Sequence, residues 1–324
     1  MSFAADLDAI RDAHARIRPH VHRTPVLTCA TLDRRAGRRL FFKCENLQRG
    51  GAFKARGAMN AVWRLDEATA RRGVVTHSSG NHAQALAIAA ASRGIAAHVV
   101  MPSDAPRVKR AAVEGYGARV IPCEPTLASR LETAGRVVEE TGGTLIGPYD
   151  HPDVIAGQGT CAIELLEEVP DLDAVIAPVG GGGLLSGVAL ALRELAPRVR
   201  VLGAEPRGAD DAARSKASGV RVTTQTPDTV ADGLRTVLGE LTWPVVRDVV
   251  EEILVVEDAM TIAAMRLLLE RMKLVVEPSG AVPLAAALSR RFAELEGIAR
   301  VGVVLSGGNA DLDALPWARP QRRR

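Results

Sequence analysis

The sequence has no CxxC pair, no long apolar run and hardly any net charge, and each absence excludes a class of protein. Its four cysteines, Cys29, Cys44, Cys123 and Cys161, are far apart. Neither a zinc site nor a disulfide framework is indicated, and the reducing cytosol is the expected compartment. No stretch approaches the ~18 uninterrupted apolar residues needed to span a bilayer. Asp6 and Asp8 stand where a signal peptide would be apolar, so a cytoplasmic protein with no membrane partner is expected. Lys and Arg number 41 against 38 Asp and Glu, and the surplus of +3 equals Arg322, Arg323 and Arg324 at the end of the chain. The rest is nearly neutral, which argues against a nucleic-acid partner. Aromatic residues are scarce, at 3%, while 47% of residues are hydrophobic, the balance of an ordinary globular protein. With domains of about 150 residues, the 324-residue chain suffices for one large or two moderate domains and a proper core.

From about Leu40 onward, short β-branched runs alternate with alanine- and leucine-rich segments of helical length. Strands are expected at 73–76, 97–101, 119–122, 174–178, 199–204, 252–256 and 301–305. Helices are expected at 81–92, 107–116, 129–141, 155–168, 184–195, 257–272 and 281–292. This alternation predicts an α/β fold, with parallel sheets covered by helices on both faces. Two sheets fit better than one, because residues 73–148 hold several complete units and end in the turn-rich 141–152. We therefore expect a small domain of residues 69–149 inserted in a large one of residues 1–68 and 150–324, with a ligand cleft between them.

Four loops carry chemistry. The first runs Gly50-Gly51-Ala52-Phe53-Lys54-Ala55-Arg56-Gly57-Ala58 after the strand-like 40–43. A lysine among small residues can approach a ligand closely, and a partly desolvated lysine loses its proton readily enough to attack a carbonyl. A surface lysine on a helix satisfies the same pattern. In the second, Thr76-His77-Ser78-Ser79-Gly80-Asn81-His82, a strand end turns straight into a helix. Backbone amides at a helix start, with two hydroxyls and an Asn, make a socket for a carboxylate or phosphate, although simple capping also favours Ser and Asn. The third, Pro178-Val179-Gly180-Gly181-Gly182-Gly183-Leu184-Leu185-Ser186-Gly187, joins a strand to a helix through four consecutive glycines, which suits an anion better than a plain turn. It is neither the GxGxxG fingerprint, since Leu185 and Ser186 occupy the place of the third glycine, nor a P-loop, since Val188 stands where the lysine belongs. The fourth is Leu305-Ser306-Gly307-Gly308-Asn309, after the last expected strand, where α/β ligand sites occur and where a serine can bond a heterocyclic nitrogen.

In this order and from Arg18 to Leu312, the loops resemble those of the pyridoxal 5'-phosphate (PLP) enzymes related to tryptophan synthase β. Within them the chain is similar to the serine racemases and the short threonine/serine dehydratases. Supporting stretches are Phe41-Phe42-Lys43-Cys44-Glu45, Val154-Ile155-Ala156-Gly157-Gln158-Gly159-Thr160, Ala231-Asp232-Gly233, Glu270-Arg271-Met272-Lys273 and Glu277-Pro278. The resemblance implies that the large domain binds PLP, with Lys54 as the Schiff-base lysine and Phe53 near the cofactor ring. It implies that Gly180, Gly181, Gly182 and Gly183 hold the phosphate, Asn81 bonds the ring hydroxyl and Ser306 bonds the pyridine nitrogen. Ser78, Ser79, Gly80, Asn81 and His82 would bind the carboxylate of a small amino-acid substrate, with Arg130 as helper. Glu205, the Ala209 carbonyl and Asp211 match the family's divalent-cation site, and hard oxygen ligands suit Mg2+, Ca2+ or Mn2+. A charged loop without metal is the alternative. A homodimer is also implied.

By the same resemblance the activity is β-elimination of serine or threonine to a 2-oxo acid and ammonia, with Lys54 as the base. Ser79 bears on the choice of reaction. Related dehydratases often have alanine there, whereas racemases have a serine that can serve the opposite face of the α-carbon, so serine racemisation is the alternative, as is a threo-3-hydroxyaspartate ammonia-lyase. Tyr149 stands where racemases can carry Asn, Ala52 replaces a frequent serine and Ala83 a frequent glycine, which bears on substrate rather than cofactor. The sequence ends soon after 306–309, so neither a C-terminal regulatory domain nor feedback inhibition by isoleucine is expected. A non-catalytic protein docking through Arg322–Arg324 is disfavoured by intact Lys54, Ser79 and Ser306, and an NAD-dependent dehydrogenase fails on the fingerprint.

Overall fold

The computed structural model describes residues 3–105 and 107–317, so the terminal Arg322, Arg323 and Arg324 lie outside the described residues. The strands are β1 (Val26–Leu27), β2 (Arg39–Lys43), β3 (Val74–His77), β4 (Ala97–Pro102), β5 (Arg119–Cys123), β6 (Thr144–Leu145), β7 (Ala174–Pro178), β8 (Arg200–Pro206), β9 (Glu252–Val256) and β10 (Arg300–Val304). They form a six-stranded sheet in the order β1-β2-β10-β7-β8-β9 and a four-stranded sheet in the order β5-β4-β3-β6. Every neighbouring pair is parallel except β1 with β2. Central strands of such sheets are covered on both faces, and all five residues of β7 are buried. The sheet expectation therefore holds, and the last strand of the described residues closes the larger sheet by inserting between β2 and β7.

Helices follow the expected pattern with local differences. The segment expected as one helix over 257–272 is an α-helix Asp258–Leu267 continued by a π turn, Leu268–Met272. It ends at Lys273, whose φ of 61° is left-handed. The helix expected at 281–292 starts earlier, at Pro278, because proline suits a first turn where its missing N–H costs nothing. It stops at Ala287, and Ser289 then caps a separate turn, Arg290–Ala293, by accepting from the Phe292 amide.

The helix Lys54–Arg64, foreseen only as the alternative setting for Lys54, matters most for the site. It packs against the helices Asn81–Arg93 and Pro152–Glu168, and its Ala58, Met59, Ala61 and Val62 belong to the same core as Val74 and Val99 of the small sheet. A buried ionic cluster fixes it. Arg56 is fully buried and its guanidinium reaches Glu45 at 2.7 and 2.8 Å and Glu164 at 2.6 and 2.8 Å. Lys43 on β2 adds a bond of 2.6 Å to Glu164. Two cations and two anions leave the cluster neutral, the condition under which buried charge is tolerated.

Candidate active site

The parallel strands end at the same place as three of the four loops. Residues 78–82 follow β3, 179–182 follow β7 and 305–309 follow β10. The first loop is sewn to the fourth: the Phe53 amide donates to the Ser306 carbonyl at 3.0 Å and the Gly308 amide to the Gly51 carbonyl at 2.8 Å. This pairing delivers Lys54 as the first residue of its helix. The Lys54 Nζ donates to the Pro148 carbonyl at 2.6 Å and lies 5.0 Å from the centre of the Phe53 ring. Burial lowers its pKa to about 8, against an opposing pull from Glu277. An amine in that range is neutral often enough to act as nucleophile or base.

Glu277 is the principal site residue that the sequence does not single out beyond its Glu-Pro pair. It caps the helix Pro278–Ala287, and Asn81 donates to its carboxylate at 2.8 Å. Asn309 in turn donates from its side chain to the Asn81 side-chain oxygen, Oδ1, at 2.9 Å and to the Gly50 backbone carbonyl at 2.8 Å. A Cβ at Gly307 would strike the Glu277 carboxylate and come within 3.2 Å of the Asn81 amide, so only glycine lets these three loops converge. Burial pushes the Glu277 pKa up to about 7, with Asp232 adding to the push and the Asn81 bond opposing it. Asn81 keeps one amide hydrogen free for a ligand.

Ser78, Ser79 and Gly80 are half-buried at the start of the helix Asn81–Arg93. The amides of Asn81, His82 and Ala83 have no acceptor among the described residues, so they are free for an anion. The His82 ring lies 3.0 Å from the Ile146 carbonyl through Nε2, and its buried Nδ1 has no partner among the described residues. Burial first, then Lys54, lowers its pKa to about 3. The ring is neutral, Nε2 carries the hydrogen, and any hold on a carboxylate falls to the His82 backbone amide. Arg130, on the helix Leu127–Thr141, has a buried Nε without a partner among the described residues. Its charge, after burial, lowers the pKa of His77 at the end of β3, which places Arg130 at the Ser78 side of the site.

The glycine loop is fully buried and leads from β7 into the helix Gly183–Leu195. The amides of Gly180, Gly181, Gly182 and Gly183 donate to no acceptor among the described residues. Side chains here are excluded: a Cβ at Gly181 would enter the Tyr149 ring, and one at Gly183 would lie 3.0 Å from the Tyr149 backbone. Ser306 is 3% exposed, and its hydroxyl has no partner among the described residues. The result is an anion cradle, a reactive lysine and an unpaired hydroxyl around one space.

Comparison with known proteins bears on what fills it. Residues 17–307 match the family described as "Pyridoxal-phosphate dependent enzyme". The chain belongs to that family. It is 52% identical over 316 residues to a serine racemase of Arabidopsis thaliana, covering 97% of this chain and 96% of the relative. It is 53% identical over 305 residues to a beta-hydroxyaspartate dehydratase of Paracoccus denitrificans, covering 94% and 96%. The solved structure of maize serine racemase superposes with a TM-score of 0.95 at 51% identity, covering 97% of this chain and 96% of that one. The space thus offers what a PLP-dependent enzyme's cofactor needs: backbone amides without acceptors among the described residues, a desolvated lysine amine and an unpaired hydroxyl, donors of the kind that a phosphate, an aldehyde and a ring nitrogen would take. When bound, PLP serves as an electron sink for bonds at the α-carbon.

Glu205 and Asp211 lie behind the glycine loop, reached through Leu238. The Glu205 carboxylate accepts from the Ala212 and Ala213 amides, each at 3.0 Å, while Asp211 accepts from Gln225 and from the Leu238 amide, each at 2.9 Å. Both are fully buried. Burial and then Asp211 push Glu205 well above the carboxylate range, and burial raises Asp211 to about 6.

Proposed function

We propose that this enzyme catalyses β-elimination of small hydroxy amino acids, serine or threonine, to a 2-oxo acid and ammonia. The carrying observation is Lys54: a desolvated amine beside the free glycine-loop amides and facing the helix start of residues 78–82. In this reading the amides of Asn81 to Ala83 hold the substrate carboxylate and Lys54 Nζ takes the α-proton. Asn81, Asn309 and Glu277 hold the three loops in register. Ser79 has a hydroxyl free of protein partners among the described residues, which supports serine racemisation as an accompanying activity. The unpartnered Arg130 Nε favours a second substrate reading, threo-3-hydroxyaspartate, whose additional carboxylate it can pair with.

The same proposal extends to the parts of the molecule beyond the site. The inserted domain of residues 69–149 is supported by β3 to β6 all falling within it. A divalent cation at Glu205, the Ala209 carbonyl and Asp211 is supported by two acids buried side by side. A cytoplasmic location is supported by four free cysteines, and a homodimer by the family resemblance.

The test is one incubation of the holoenzyme with L- and D-serine, L- and D-threonine and threo-3-hydroxyaspartate, scoring oxo acid and enantiomer. We expect oxo acid from at least one of them, and a loss on the order of a thousandfold or more in Lys54→Ala. Oxo acid from none, or full activity in Lys54→Ala, would sink the proposal.

A further inference from the structure

Behind the glycine loop lies a turn over residues 238–242 that no role above accounts for. Thr242 is fully buried and opens the helix Thr242–Asp248. Its oxygen accepts from the Gly239 amide at 2.9 Å, which leaves its own hydrogen for the Gly181 carbonyl at 2.8 Å. The Gly239 carbonyl, at 3.5 Å, is the poorer acceptor. Asp150 clamps the turn from outside: its carboxylate accepts from the amides of Glu240 at 2.9 Å, Leu241 at 2.8 Å and Thr242 at 3.3 Å. With every one of these bonds made, the hydroxyl has little freedom to swing elsewhere.

The consequence follows from peptide geometry. A trans peptide sets its C=O and N–H in opposite directions, and no cis peptide bond occurs among the described residues. Thr242 at 2.8 Å, with the Gly239 amide at a longer 3.4 Å, holds the Gly181 carbonyl on one side of the loop, so the Gly182 amide of that same peptide faces the other. That amide has no acceptor among the described residues, and Gly182 reaches this arrangement with a φ of 88° that side chains rarely adopt. A hydroxyl pulling on the carbonyl also polarises the amide and strengthens it as a donor.

We propose that Thr242 is a positioning residue for the anion cradle, aiming the Gly182 amide at the phosphate of the cofactor through the Gly181 carbonyl, with Asp150 holding Thr242 in place. This rests on residues 180–183 being the PLP phosphate loop.

The test strips the whole chain of cofactor with hydroxylamine and titrates back PLP and, separately, pyridoxal, which lacks the phosphate. Thr242→Val is expected to weaken PLP about tenfold while leaving pyridoxal unchanged, and Thr242→Ser, which restores the hydroxyl, to bind PLP within about twofold of wild type. An unchanged PLP affinity in Thr242→Val, or equal losses for PLP and pyridoxal, would overturn the positioning role. Failure of the wild-type chain to take up PLP would instead overturn the cofactor reading itself.

Discussion

Lys54 and Glu277 are both displaced by burial, in opposite directions along the pH axis, and Glu277 partly offsets the lowering at Lys54. Glu277 rises from an ordinary 4.5 to about 7, so between those values the folded protein keeps a proton that the unfolded chain releases. Its contribution to stability is full below pH 4.5 and is lost as the pH rises through 7. Glu277→Gln retains a bond from Asn81 and removes the titration. The melting temperature of the variant, free of cofactor, should therefore gain on wild type between pH 5 and pH 8 by a few degrees. A difference that stays constant with pH would show that Glu277 does not ionise in this window. At this scale the sequence identifies Lys54, Asn81 and Ser306 through the loops they sit in. Glu277 escapes notice because an acid before proline at a helix start is an ordinary cap, and only the approach permitted by Gly307 makes it part of the site.

The element that carries Lys54 owes its position to a residue two places further along. Arg56 joins the helix Lys54–Arg64 to Glu45 after β2 and to Glu164 on the helix Pro152–Glu168. Removing the guanidinium would leave two buried carboxylates facing Lys43 alone. Arg56→Leu is expected to lower stability by about 3–5 kcal/mol, read from urea denaturation; a loss under 1 kcal/mol would show that the cluster relaxes or takes in water. Charged residues ordinarily mark a helix surface, which is why the burial of this helix and its interior cluster are not legible in the sequence. The longer strands are, because β-branched runs between helices have few other fates. β1 and β6, at two residues each, are too short to leave a pattern. The π turn at Leu268–Met272 likewise has the composition of the helix it interrupts.

Across the described residues, two sheets, parallel but for β1, present strand ends to one space, and β10 between β2 and β7 ties the end of the described chain to its beginning. The α/β class was visible in the alternation of elements, and the division into two sheets in the several complete units between 73 and 148. What the sequence could not supply was which loops touch. The paired acids of Glu205 and Asp211 belong to this scale, since they fasten the helix Asp211–Ser218 and the 238–242 turn behind the glycine loop. Adding about 1 mM Mg2+ at pH 7.5 to the EDTA-treated enzyme should raise its melting temperature by several degrees, and Glu205→Gln should abolish the rise. An identical melting curve with and without the cation would argue that the two acids are a proton-sharing pair and no more.

One lysine, Lys54, is central to the site. Borohydride treatment of the holoenzyme fixes PLP to the side chain that carries it, and peptide mass spectrometry then locates the label. We predict a single pyridoxyl group on the peptide containing Lys54. Label on a different lysine, or none at all, would contradict the assignment of the site.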